Sequence, residues 1–176
     1  NPSLKLAKPE LQDEGMTAVF PYLEGKTRAE LLGEILTAQG ADAEVSAIRA
    51  AMDEIYNIRP EERKPFAVTP EFIKVFNALG ELDSYRDKET ENGGGWASLG
   101  AVLADESYSA SNIDALFENM LVTADGTYAI DYEWVFLFPV PAGFVKYRTL
   151  VYFYRRYKSL LGGQAEREFI GVCEGG

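Results

Sequence analysis

The sequence predicts a mainly α domain with a small β-hairpin. Three segments of the N-terminal half carry apolar residues at helical spacing, and each follows a residue type that commonly caps helices. Two later β-prone runs flank Ala124-Asp125-Gly126, a turn sequence that predicts a hairpin. A long aromatic and apolar stretch near the C-terminus predicts one further helix.

The chain begins with a polar segment, followed by a short apolar run from Met16 to Leu23 that predicts a strand. Pro21 confines this strand to a sheet edge or to its own end. The first helix begins after Thr27, because Thr27 and Glu30 form the pattern of a capping box and Gly40 suits the C-cap. Its inner face comprises Leu31, Leu32, Ile35 and Leu36.

The second helix is expected after Asp42, with one apolar stripe formed by Val45, Ile48, Met52, Ile55 and Tyr56. Thr69-Pro70 then predicts the start of a third helix, which Gly80 ends. Residues 81–96 predict a loop, and the run Gly93 to Gly95 matches neither phosphate-binding glycine fingerprint. The last helix is expected over Phe144 to Leu161, followed by a frayed tail.

Composition excludes several kinds of site. The 176 residues contain no histidine, which excludes Ser-His-Asp and Cys-His catalysis and every metal centre with a histidine ligand. The single cysteine, Cys173, excludes an intrachain disulfide and a thiolate zinc site. Any acid–base or metal chemistry must therefore depend on Asp, Glu, Asn, Lys or Tyr side chains.

The net charge and the hydropathy of the sequence limit the classes of partner that the chain can bind. A net charge of −11 disfavours a general nucleic-acid binder. No apolar run approaches the roughly 18 residues that a membrane helix requires. We expect a single domain over 1–176, cut from a larger cytoplasmic protein. Within it, 1–25 would hold a strand and hinge, 26–161 a helical lobe with a hairpin at 119–134, and 162–176 a tail.

Three polar residues stand out around the predicted hairpin. Asn119 opens the hairpin, Asp131 closes it, and Asp114 lies on the loop that enters the first arm. Because the two arms are antiparallel and of similar length, the side chains of Asn119 and Asp131 are expected near each other. Carboxylate and amide oxygens are ligands of the type that Mg²⁺ prefers.

This pattern resembles the catalytic loop and metal-binding segment of protein-kinase-like phosphotransferases, in the aminoglycoside and choline branch. Asn112-Ile113-Asp114 through Asn119, followed by Ile130-Asp131-Tyr132-Glu133, matches that branch, except that Asn112 stands where a histidine is usual. Phe20 to Thr27 is similar to the strand and hinge that precede the first C-lobe helix. Asp131 to Tyr154 also resembles kinase-like domains attached to bacterial surface-polysaccharide glycosyltransferases and methyltransferases.

The resemblance covers residues 16–160 and implies the C-terminal lobe of a kinase-like α+β fold. It implies that Asp114 is catalytic, orienting or deprotonating an acceptor hydroxyl. It also implies that Asn119 and Asp131 hold Mg²⁺ against the phosphates of ATP or another nucleotide. One departure is large: the sequence shows no glycine-rich loop and no strand lysine upstream of the hinge, since Lys5 and Lys8 lack that context.

The resemblance therefore implies Mg²⁺-dependent phosphoryl transfer to a small-molecule or glycan hydroxyl. The alternative is a catalytically degenerate module that positions a neighbouring glycosyltransferase or methyltransferase. Simpler structural roles stay open for the three polar residues, as turn caps or strand-end carboxylates. The aromatic and basic residues of the last helix fit a core helix with snorkelling basic side chains, and also a membrane-surface or polysaccharide-binding face. Arg148 is a candidate partner for Asp131 or Glu133.

Overall fold

The structure is a computed structural model that describes residues 4–56, 62–76, 105–161 and 163–174. The predicted loop at 81–96 and the run Gly93 to Gly95 lie outside the described residues. The described residues contain five helices: α1 (Arg28–Gln39), α2 (Ala41–Tyr56), α3 (Pro70–Phe76), α4 (Ala142–Tyr157) and α5 (Glu166–Glu174). The contacts between its residues divide the chain into two compact units.

Ten short strands accompany these helices within the described ranges. They are β1 (Lys5–Leu6), β2 (Glu10–Gln12), β3 (Thr17–Val19), β4 (Lys26–Thr27), β5 (Lys64–Pro65), β6 (Glu106–Ser107), β7 (Ser111–Asn112), β8 (Met120–Thr123), β9 (Gly126–Ala129) and β10 (Val135–Phe136). They form one four-stranded sheet and three two-stranded ones. The fold class is therefore α+β, and the prediction of a mainly α domain with one hairpin is wrong. Most of the additional strands span two or three residues, too few for apolar alternation to show in the sequence.

The first unit comprises the described residues of Asn1–Ile58, Asp114–Glu133 and Tyr147–Gly176. Its sheet has the order β1-β9-β8-β4, in which only the β1–β9 pair is parallel. The predicted hairpin is confirmed as β8 and β9, which pair from Met120 opposite Ala129 to Thr123 opposite Gly126. Gly126 has a φ of 140°, a conformation that the tight turn requires and that glycine alone adopts readily.

Helix α1 begins as the sequence predicts. The Thr27 hydroxyl accepts a hydrogen bond from the Glu30 N–H, and the Glu30 carboxylate accepts one from the Thr27 N–H. The bond from the Thr27 N–H, together with one that the Thr27 hydroxyl donates to the same carboxylate, lowers the pKa of Glu30, because both favour its charged form. Leu32 and Leu36 are buried as expected, and Gly40 ends the helix.

The remaining helices of this unit depart from prediction in two places. Helix α2 begins at Ala41 and buries Ile48 and Met52 as expected, together with an unexpected carboxylate, Glu44. The predicted frayed tail is wrong, since helix α5 occupies Glu166–Glu174 and buries Phe169, Ile170 and Cys173. These three residues recur on one helical face, which provides the burial that holds α5 in place.

The second unit comprises the described residues of Arg59–Ile113 and Trp134–Lys146. Its strands β5 and β6 pair with each other, as do β7 and β10. The N-cap of α3 is confirmed, because the Thr69 hydroxyl accepts a hydrogen bond from the Phe72 N–H. Six aromatic rings among its described residues form a cluster, with centroids 4.8 to 6.5 Å apart: Phe66, Phe72, Phe76, Phe136, Phe138 and Phe144.

Candidate functional site

The candidate site lies in the first unit, where the hairpin β8–β9 meets the loops at its open end. Asn119 is central to it. Its side-chain Nδ2 donates to the carbonyl oxygens of Asp114, at 3.0 Å, and Asp131, at 3.4 Å. Its own carbonyl oxygen accepts from the Ile130 N–H at 2.9 Å. The Asn119 side chain therefore links the backbone at Asp114 to the backbone at Asp131.

These contacts settle which way the Asn119 amide faces. Both partners of its side chain are carbonyl oxygens, which only accept hydrogen bonds. The NH₂ group of the amide, and not its oxygen, must therefore face them. The amide oxygen then points away from both carbonyls, and it accepts no hydrogen bond from the described residues. Asn119 consequently presents one unpaired hard oxygen.

Asp131 has an unusual backbone conformation. Its φ is 53°, in the left-handed region that non-glycine residues adopt only at some cost in free energy. Its carboxylate is exposed, and within the described residues it has neither a hydrogen-bond donor nor a basic partner. Strained backbone of this kind persists only where surrounding contacts hold it, and it concentrates at functional sites.

Asp114 differs from the other two residues because it is buried and ion-paired. It is 8% exposed, and its Oδ1 lies 3.1 Å from Nη2 of Arg148 on α4. Arg148 also lies over the ring of Tyr152, and the neighbouring Thr149 hydroxyl donates to the Ala115 carbonyl oxygen. The suggested pairing of Arg148 with Asp131 or Glu133 is therefore wrong. Helix α4 therefore holds the loop at Asp114 in place through these two contacts.

A pocket of about 450 Å³ adjoins Asp131. One wall is Phe20 to Leu23, the segment that the resemblance interprets as a hinge. Leu121 and Ile130 of the hairpin region and Ala7 near β1 provide further apolar surface, and Asp131, Tyr132 and Glu133 complete the lining. The volume lies within the range typical of small-molecule sites, and an apolar lining with few polar groups is also typical of them.

The wall at Tyr22 and Leu23 offers peptide groups as well as apolar surface. Neither residue lies in a strand, and neither peptide group forms a hydrogen bond with the described part of the chain. Peptide groups that have no hydrogen-bond partner within the described residues, beside apolar side chains, suit a flat, polar-edged ring.

The donor set fits a magnesium ion bound together with phosphate. Among the described residues, no cluster of three or more acidic or cysteine side chains is placed to hold a metal. Mg²⁺ in nucleotide sites is usually held by one or two protein oxygens together with phosphate oxygens. The Asn119 amide oxygen and the Asp131 carboxylate would be two such oxygens if the site held this ion, and the exposed carboxylate of Glu133 adds negative charge nearby.

Lys5 lies at the other end of the hairpin. Its Nζ donates to the Asp125 carboxylate at 2.8 Å, and the hydroxyls of Tyr128 and Thr123 donate to the same carboxylate. These bonds lower the pKa of Asp125, and the Asp125 contact raises the pKa of Lys5. Lys5 therefore fastens β1 to the β8–β9 turn.

Two contributors to the site were not predicted from the sequence. Tyr132 lines the pocket and donates its hydroxyl to the Ala7 carbonyl oxygen, and Ala7 lines the pocket itself. Ala7 gave no signal, because its role depends on a parallel pairing between β1 and the distant β9. Tyr132 did give one, since it follows Asp131 directly in the quoted motif.

No protein-family model, curated protein or solved structure matches this chain. The resemblance to kinase-like phosphotransferases therefore stands as an interpretation of the motif. In the part of the chain that the structure describes, no helix has the length and apolar character needed to span a membrane.

Proposed function

We propose that this chain is the magnesium- and nucleotide-binding part of a phosphotransferase of the aminoglycoside and choline type. In this proposal it transfers a phosphoryl group from ATP or another nucleotide to a hydroxyl of a small molecule or glycan. The observation that carries the proposal is the position of Asp131 in the lining of an apolar pocket, beside Asn119. Its backbone is strained, and its carboxylate has no partner among the described residues.

The proposal gives each part of the site a task. The apolar pocket takes the nucleotide base, whose polar edge faces the peptide groups of Tyr22 and Leu23. The oxygens of Asn119 and Asp131 face the phosphates and hold Mg²⁺, which neutralises phosphate charge when it is bound. Asp114 orients the acceptor hydroxyl and takes its proton, while Arg148 fixes the direction of the Asp114 carboxylate. Because nucleoside triphosphates are abundant in the cytoplasm, we place the activity there.

One observation favours the alternative, a catalytically degenerate binding or scaffold module. Asp114 is buried and tied to Arg148, whereas a general base must come within hydrogen-bond reach of the acceptor hydroxyl. In this alternative the Asp114–Arg148 pair has a structural role. The domain then positions a neighbouring glycosyltransferase or methyltransferase in a larger protein.

Thermal unfolding with nucleotide tests the proposal. We expect ATP with Mg²⁺ to raise the melting temperature of the chain more than ATP with EDTA does. A ligand present at 100 times its dissociation constant adds about 2.7 kcal/mol of stability, which is readily measured. Asp131→Asn should remove the metal-dependent part of the shift, because it removes the charged ligand.

Asp13→Asn provides a matched control, since Asp13 is also exposed and also has a positive φ, of 50°, but lies outside the pocket lining. This variant should keep the full metal-dependent shift. Absence of any shift with the unmodified chain would contradict the proposal. That outcome would instead support the catalytically degenerate module, which requires no binding of Mg²⁺ and nucleotide.

A further inference from the structure

Tyr132 occupies a position that the proposed function leaves unexplained. Its ring is half-buried and lines the pocket, and its hydroxyl donates to the Ala7 carbonyl oxygen at 2.9 Å. Ala7 is itself held in place, because it is 4% exposed and its N–H donates to the Ala129 carbonyl oxygen at 3.1 Å. The Tyr132 hydroxyl is therefore anchored to the edge of the four-stranded sheet.

The neighbouring residue, Asp131, needs such an anchor. On its N-terminal side, the chain is fixed by the hydrogen bond from the Ile130 N–H to Asn119. At Asp131 itself the only bond within the described residues is the long one, 3.4 Å, from Asn119 Nδ2 to its carbonyl oxygen. On the C-terminal side, the Tyr132 hydroxyl provides the next bond along the chain. A left-handed aspartate between these contacts keeps its conformation only if both sides are held.

We propose that Tyr132 is a positioning residue of the magnesium–nucleotide site. Through its hydrogen bond to Ala7 it holds Asp131 in the left-handed conformation that directs the carboxylate toward the phosphates, beside Asn119. This inference rests on the proposed function and adds to it a residue that touches the base pocket and acts on the metal ligand. Tyr132 thereby couples occupation of the pocket to the geometry of the metal site.

The test is the metal dependence of nucleotide affinity in Tyr132→Phe. The change removes one hydroxyl and keeps the ring that lines the pocket, so the affinity for ATP in EDTA should stay within about twofold. The gain in affinity on adding Mg²⁺ should fall by about tenfold, because Asp131 is no longer held in place. Calorimetric titration of the full chain measures both affinities.

Tyr128→Phe is the matched control, since the Tyr128 hydroxyl also makes a hydrogen bond, to Asp125 at the far end of the hairpin. It should leave both affinities unchanged. Tyr132→Phe is then combined with Asp131→Asn, where it should have no further effect on the metal-dependent gain if Tyr132 acts through Asp131. A merely structural role for Tyr132 would lower the melting temperature without changing the ratio of the two affinities.

The outcomes separate the two proposals. If the unmodified chain gains affinity with Mg²⁺ and Tyr132→Phe gains as much, the role of Tyr132 is refuted while the proposed function stands. Should the effect of Tyr132→Phe persist in full in the Asp131→Asn background, positioning through Asp131 is likewise refuted. If the unmodified chain shows no metal-dependent gain, both proposals fail together.

Discussion

Glu44 predicts a pH dependence of stability that can be worked out from the structure. It lies in the first turns of α2, its side chain is fully buried, and neither carboxylate oxygen has a hydrogen-bond partner among the described residues. Removal from water disfavours the charged form, and it raises the pKa of Glu44 from 4.5 to about 7. Folding therefore favours the protonated carboxyl, which binds a proton that the unfolded chain releases.

The sign and size of the change in the free energy of unfolding with pH follow from proton linkage. Below pH 4.5 the carboxyl is protonated in both states, and burial carries no charge penalty. Between pH 4.5 and about 7 the unfolded chain releases its proton first, so the free energy of unfolding falls as the pH rises. A shift of this size corresponds to about 3 kcal/mol of lost stability at pH 8 relative to pH 4.

The assay compares urea unfolding of the unmodified chain and Glu44→Gln across this pH range, followed by circular dichroism. Subtracting the free energy of unfolding of the unmodified chain from that of Glu44→Gln cancels the contributions of the groups that titrate in both proteins. The advantage of Glu44→Gln should grow by about 3 kcal/mol from pH 4 to pH 8, with most of the change between pH 4.5 and 7. A difference that does not vary with pH would refute the reasoning, because it would mean that folding leaves the pKa of Glu44 unchanged.

Two further predictions concern packing and capping. Gly33→Ala would place a Cβ 2.5 Å from the ring of Tyr157, and the overpacking should cost about 1–3 kcal/mol in denaturant unfolding. Gly171 also lies within a helix, but a Cβ there would have no atom of the described residues within 4 Å beyond its chain neighbours and its own helix backbone, so Gly171→Ala should stabilise by up to about 1 kcal/mol. If both variants behave alike, the close approach at Tyr157 is not real. Asp105→Ala should cost about 1 kcal/mol of stability, because the Asp105 carboxylate accepts the Gly143 N–H at 2.6 Å in the first turn of α4. Asp105→Asn, which keeps an acceptor oxygen, should lose clearly less, and equal losses would contradict the capping role.

The sequence predicted correctly those elements that depend on residues close together in the chain. The start of α1 depends on Thr27 and Glu30, three residues apart, and the hairpin β8–β9 depends on the turn at Asp125-Gly126. Both were predicted because the residues that determine them are neighbours in the sequence. The proximity of Asn119 to Asp131 followed from the hairpin alone, since two antiparallel arms of equal length return to the same point.

The features that were missed depend on distant pairings. Strand β1 is two residues long and pairs with β9 more than 120 residues away, so no periodicity marks it. Arg148 pairs with Asp114 because of the way in which α4 packs against the loop that carries Asp114, and the sequence does not reveal this packing. Helix α5 is a different case, because Phe169, Ile170 and Cys173 carried a helical spacing that was interpreted as too weak.

Electron paramagnetic resonance of Mn²⁺, used in place of Mg²⁺, tests most directly whether Asn119 and Asp131 hold a cation on a bound nucleotide. A titration of the chain with Mn²⁺ is made with and without a non-hydrolysable ATP analogue. We predict that Mn²⁺ binds the chain tightly only when the analogue is present, and that Asp131→Asn abolishes this binding while Asp13→Asn keeps it. Equal Mn²⁺ binding by the unmodified chain and Asp131→Asn, or none by either, would contradict the proposed site.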